Sequence, residues 1–79
     1  MPTKHSNPIE IKGNIVKVDS ADDGVFLNLQ SFTKLYRVFV PTLLADGLDF
    51  PLETGREIKA LSIENWRAGF WVAQGVKLQ

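Results

Sequence analysis

The chain has 79 residues, with nine Lys plus Arg against nine Asp plus Glu, so its formal net charge is zero. That length holds one small domain. The charge balance argues against a polybasic, histone-like mode of nucleic-acid binding, so any anion-binding face has to be local. With no cysteine, a disulfide framework, a Cys-ligated zinc site and a thiol nucleophile are all excluded. The lone His5 sits in a polar segment and by itself builds neither a His-based metal site nor a triad. Hydrophobic residues make up 44%, enough for a core that needs no metal or cofactor. No apolar run approaches the ~18–20 residues of a membrane span. Residues 1–8 lack the apolar core of a secretory signal. The expectation is a soluble, cytoplasmic protein with no membrane partner.

Residues 1–8 (MPTKHSNP) read as a flexible polar tail, and residues 9–79 as a single domain. Ile9, Ile11, Gly13 and Ile15 fall at a period of two, the signature of a half-buried strand. The parity then slips to Val16 and Val18, which predicts a bulge, with Gly13 placed to allow it. Residues 19–24 (DSADDG) read as a turn. Val25, Leu27 and Leu29 alternate with Phe26, Asn28 and Gln30 in a second strand, forming a hairpin with the first. Residues 31–34 are a loop. Tyr36, Val38 and Val40 alternate with Leu35, Arg37 and Phe39 in a third strand, ended by Pro41.

Residues 42–46 predict a brief helical turn, with Pro41 near its start and Gly47 as its stop. Residues 49–55 form a loop anchored by Leu52. Ile58 and Ala60, then Leu61 and Ile63, predict a fourth strand with a second parity slip. Residues 65–69 make a turn that holds Trp66 and Arg67. Phe70, Val72, Val76 and Leu78 alternate with Trp71, Ala73, Gly75 and Lys77 in a fifth strand. The expected core is Ile15, Val18, Val25, Leu27, Val38, Val40, Leu52, Ile58, Ile63, Val72 and Val76.

Five short strands with one helical turn between the third and fourth predict an all-β fold, a small OB-type barrel. A small SH3-like barrel is the competing architecture. In motif order the chain resembles a cold-shock-type OB domain. That family opens with Gly-x-Val-Lys-Trp-Phe-Asn-Ser followed by Lys-Gly-Tyr-Gly-Phe-Ile. Here Gly13-Asn14-Ile15-Val16-Lys17-Val18-Asp19-Ser20 leads into Asp22-Asp23-Gly24-Val25-Phe26-Leu27. The family's Val-Phe-Val-His is matched by Val38-Phe39-Val40-Pro41, and its Leu-x-x-Gly by Leu52-Glu53-Thr54-Gly55. Its closing segment is matched by Ala73-Gln74-Gly75-Val76-Lys77-Leu78. The resemblance spans residues 13–78, with a longer loop at residues 28–37. It departs where Lys17 replaces an exposed Trp, Asp22 a basic residue, Gly24 an aromatic and Pro41 a His. Phe26 and Phe39 keep positions that in the family stack on bases.

The candidate chemistry lies on the face opposite the core. The alternation turns Phe26, Asn28, Arg37 and Phe39 outward, with Lys17 beside them. Exposed aromatics suit base stacking, worth ~1–3 kcal/mol per base, and Arg37 suits phosphate or a base plane. Otherwise Phe26 and Phe39 lie under a loop or a dimer partner, or close a small second core. Phe70 has core parity with Val72 and is expected in the interior; Trp66, Arg67 and Trp71 mark the last hairpin, where they would clamp a strand, or else Trp66 folds back over the end of the domain. Basic residues and the acids of two loops would give one positive face, or ordinary mixing of solvated charge. Asp19, Asp22 and Asp23 lack the loop length and bidentate Glu of an EF-hand. Ser20 and Ser62 have no His–acid partners, and the glycines form no phosphate loop. No catalytic or metal site is indicated. The expected function is binding of single-stranded DNA or RNA with low sequence specificity through Lys17, Phe26, Asn28, Arg37, Phe39, Trp66, Arg67 and Trp71. The alternative is a non-enzymatic protein-interaction or homodimerisation module using the same face, or an edge pairing through Ile9 and Ile11.

Overall fold

A computed structural model describes residues 7–79. Most of the expected tail, residues 1–6, lies outside the described residues; Asn7 and Pro8 are exposed and precede the first strand. The elements are β1 (Ile9–Ala21), β2 (Gly24–Gln30), β3 (Leu35–Pro41), α1 (Thr42–Asp46), β4 (Glu57–Asn65) and β5 (Phe70–Leu78). The described residues are therefore mostly β, as the alternation predicts, with one short helix between β3 and β4. The strands form one sheet in the order β1-β2-β3-β5-β4, and β1 also pairs with β4, so the pairings run in a closed ring. All pairs are antiparallel except β3 and β5, which join in parallel through Val38↔Trp71 and Phe39↔Val72.

β1 serves two neighbours. Its first half pairs with β4, Ile9 opposite Ser62 and Ile11 opposite Ala60. Its second half pairs with β2 as far as Ala21↔Gly24. β4 thus covers one edge of this half of β1, and the ladder to β2 on the other edge begins only at Asn14. The expected six-residue turn is shorter than the acidic run suggests: only Asp22 and Asp23 turn, and Asp19 lies in the strand opposite Phe26. The parity slip is at Val16, the extra residue between Ile15↔Leu29 and Lys17↔Asn28. Gly13 has a different job. A Cβ there would stand 2.9 Å from the Gln30 carbonyl oxygen, so the residue lets β1 cross close over the end of β2.

α1 starts after Pro41, whose extended conformation (φ −60°, ψ 151°) sets the entry, and closes where the Gly47 N–H donates to the Leu44 carbonyl (3.2 Å). Leu44, Ala45, Leu48, Phe50 and Leu52 pack from this segment onto the core. Leu43 points away and is exposed.

The buried core is Ile11, Ile15, Leu27, Leu29, Val38, Val40, Ile58, Ala60, Ala73 and Val76. Val18, Val25 and Leu52, also expected inside, are partly buried and pack against it. Ser62 is buried among these residues, with its hydroxyl donating to the Ala60 carbonyl (3.2 Å). Core expectations fail at Ile63, Phe70 and Val72. Ile63 and Val72 face outward opposite each other, because the slip expected in β4 falls in β5 instead. β4 keeps Ile58, Ala60 and Ser62 inward without a break. On β5 the register runs Ala60↔Val76, Leu61↔Gly75, then Ser62↔Ala73, which leaves Gln74 as the extra residue. An extra residue inverts the parity of everything before it. Phe70 and Val72 turn out, and Trp71 and Ala73 turn in. No helix among the described residues is long and apolar enough to cross a membrane.

Candidate functional site

The outward positions of neighbouring strands line up side by side, because directly opposed residues share a face. Phe26 is opposite Phe39, and Asn28 opposite Arg37. Asp19 is opposite Phe26, and Lys17 opposite Asn28. Phe39 is beside Val72, which is opposite Ile63. The inverted β5 adds Phe70 to this face. Its ring meets Phe26 edge-on at 5.1 Å between centroids and Phe39 at 6.1 Å, while Phe26 and Phe39 lie 4.8 Å apart, tilted by 50°. Three half-buried rings therefore form one cluster on the outside of the sheet. Edge-to-face and tilted contacts of this kind are each worth about 0.5–1.5 kcal/mol beyond their area. The cluster thus has the character of a small outer core that keeps part of its ring surface open.

Gly24 makes room for it. A Cβ at that position would fall on the Val40 carbonyl oxygen and stand 2.6 Å from Cζ of Phe39. The Phe39 ring occupies the space that any side chain at position 24 would need.

Arg37 rims the cluster. Its guanidinium lies 4.8 Å from the Phe26 centroid and donates to Asn28 Oδ1 (2.8 Å) and Asp19 Oδ2 (3.1 Å). Lys17 Nζ stands 3.8 Å from the same Asp19 oxygen. Two cations thus share one carboxylate. Arg37 is held rigidly over a ring, and its positive charge is partly neutralised from within the protein. Turn chemistry in the acidic run hides Asp19 as a site residue in the sequence. The available signal is its parity: Lys17 and Asp19 flank the inward Val18.

Two of the sequence-predicted positions behave differently from the rest. Trp71 is not on this face. It packs against the core and meets Tyr36 edge-on at 6.0 Å, the consequence of the extra residue at Gln74. Trp66 is in the β4–β5 turn and 67% exposed, so it does not fold back over the end of the domain. Arg67 lies 5.3 Å from its ring. The turn is held by Asn65, whose carbonyl accepts from the N–H groups of Ala68 (3.1 Å) and Gly69 (2.9 Å). Gly69 takes the positive φ of 79° that closes it. Phe70 follows directly, so the Trp66–Arg67 tip extends from the edge of the Phe cluster. Lys17, Phe26, Asn28, Arg37 and Phe39 are brought together, Trp66 and Arg67 sit at the margin, and Phe70 and Asp19 complete the group.

No family model matches the chain, and no curated protein matches it.

Proposed function

We propose that the protein binds single-stranded nucleic acid, DNA or RNA, with low sequence specificity, through the outer face of β2, β3 and the start of β5. The observation that carries this reading is the Phe26–Phe39–Phe70 cluster on an outer sheet face, rimmed by Arg37 over one ring. Aromatic rings on an outer sheet face accept any base, since every base has a π-face. Asn28 contributes an amide, while Lys17, Arg37 and, from the turn, Arg67 reach phosphates, and Trp66 offers a further ring. Trp71 has no place in the contact. The reading includes an OB-type barrel: the ring order β1-β2-β3-β5-β4, with a helix between β3 and β4, is the arrangement such a barrel requires. The cold-shock-like order of motifs supports the same choice. The protein acts in this reading as a cytoplasmic binding module, not an enzyme, and needs no cofactor.

Titration with short oligothymidylate and oligoadenylate, read by Trp66 fluorescence, tests it. Saturable binding at low salt is expected. The three phosphate contacts on this face, from Lys17, Arg37 and Arg67, contribute about −2 to the log–log salt slope on a single strand. Phe39→Ala is expected to weaken binding by ~1–3 kcal/mol while the fold persists. Absence of binding to any DNA or RNA homopolymer at low salt rejects the proposal.

The shared carboxylate leads to a second expectation. Asp19→Asn releases Arg37 and Lys17 from a competing internal anion. Oligonucleotide affinity should rise several-fold, with little change in the salt slope because both cations already count among the phosphate contacts. The stability cost should stay within ~1 kcal/mol, as for other half-exposed ion pairs. Unchanged affinity in Asp19→Asn would show that these cations do not meet phosphate.

A protein-docking role for the same face draws on a different observation, the exposure of Trp66 in the turn that precedes Phe70. Light scattering over a concentration series separates the two readings. A dimer that dissociates when Phe39 is replaced favours docking, and a monomer that binds oligonucleotide favours the first.

A further inference from the structure

The aromatic face is short of free positive charge, because Lys17 and Arg37 are both turned to Asp19. The larger group of cations lies elsewhere on the ring. Lys12 of β1 is directly opposite Lys59 of β4, which is directly opposite Lys77 of β5. All three point outward, since Ile11, Gly13, Ile58, Ala60 and Val76 beside them are buried. Three lysines thus stand in one row across three adjacent strands, their Cα atoms at the strand spacing of about 5 Å. Like charges directly opposite each other destabilise a sheet. Glu10 reaches Lys12 at 4.0 Å, and Glu57 lies two residues along β4 from Lys59. Among the described residues no carboxylate stands within 4.0 Å of Lys59 or Lys77.

We infer that the Lys12–Lys59–Lys77 row is a phosphate track that binds the sugar–phosphate backbone of nucleic acid on the side of the ring away from β2 and β3. The choice of nucleic acid as the polyanion rests on the reading above, whereas the anion site itself rests on the row alone. Stacking on the Phe cluster supplies base contact, and the row supplies half of the phosphate contacts. Engagement of three further phosphates deepens the salt slope from near −2 to about −4.

The test compares the wild type with the triple variant K12Q/K59Q/K77Q, using two probes: oligothymidylate and inorganic polyphosphate, which has no bases. The wild type is expected to bind both at low salt. The variant is expected to lose polyphosphate binding, to keep the Trp66 fluorescence response to oligothymidylate at reduced affinity, and to show a slope returned to about −2. Its melting temperature should be no lower than that of the wild type, because three mutually repelling charges are gone. A wild type that ignores polyphosphate, or a variant with unchanged polyphosphate binding and slope, overturns the track. Polyphosphate binding without oligonucleotide binding overturns the nucleic-acid assignment and leaves the row as a site for another polyanion. Phosphatidylserine vesicles serve as the third arm: if they alone are bound, a membrane surface replaces nucleic acid.

Discussion

Trp71→Ala is expected to lower the unfolding free energy by about 2–4 kcal/mol, the range for truncating a large core side chain that is not fully enclosed. In a domain of this size that corresponds to a fall in melting temperature of roughly 10 °C or more. Phe70→Ala, one residue away, is expected to cost markedly less stability and to weaken oligonucleotide binding instead. The contrast follows from the extra residue at Gln74. Counted back from the buried Val76 with strict alternation, Phe70 is inside and Trp71 outside. With Gln74 unpaired, the two exchange places: Trp71 meets Tyr36 and the core, while Phe70 joins Phe26 and Phe39. Thermal denaturation of the two variants, followed by circular dichroism, reads the difference. A Phe70 variant less stable than the Trp71 variant would place the bulge elsewhere and dismantle the outer cluster.

Gly24→Ala is expected to destabilise the domain by about 1–3 kcal/mol and to weaken ligand binding at the same time. The added methyl falls on a backbone carbonyl, that of Val40, and against the Phe39 ring. The ring can rotate away, but the carbonyl belongs to β3, which is paired with β2 along its whole length, from Gly24↔Pro41 to Gln30↔Leu35. Moving it strains the ladder, and overpacking of this type typically costs that amount. Displacement of Phe39 also breaks the cluster with Phe26 and Phe70. Gly55→Ala has no steric neighbour to meet, although its φ of 90° strains any side chain. It serves as a control: it should lose stability without losing ligand affinity. Urea denaturation and oligonucleotide titration of both variants measure the two effects separately.

Much of the fold is legible in the sequence because alternation is unambiguous wherever a strand is unbroken. β2 and β3 carry seven residues each in simple in–out order, and their outward pairs Phe26–Phe39 and Asn28–Arg37 follow from that order alone. Pro41 and Gly47 mark the bounds of α1. The failures occur at the irregularities. The Gln74 bulge carries no local mark: it lies in Ala-Gln-Gly, where Ala73 and Gly75 are compatible with either face. Only the pairing with β4 decides which of them is buried. In β1 the run of acids from Asp19 to Asp23 has turn chemistry throughout, yet the hairpin needs just two of those residues. The others continue the strand because Ala21 and Gly24 are paired. Gly13 was visible as special, but its reason is a crossing partner, Gln30, that is distant in sequence. In each case the missing information is a non-local contact.

In the proposed function, bases stack on the Phe26–Phe39–Phe70 face. The most direct measurement is a two-dimensional NMR titration of the labelled protein with a short oligothymidylate at low salt, following backbone amides and Phe ring protons together. Saturable shifts are expected at Phe26, Asn28, Arg37, Phe39 and Phe70, with upfield movement of the Phe ring protons as bases lie over them and no comparable change at Trp71. Saturable binding that leaves those rings and the β2 and β3 amides unmoved would contradict this stacking.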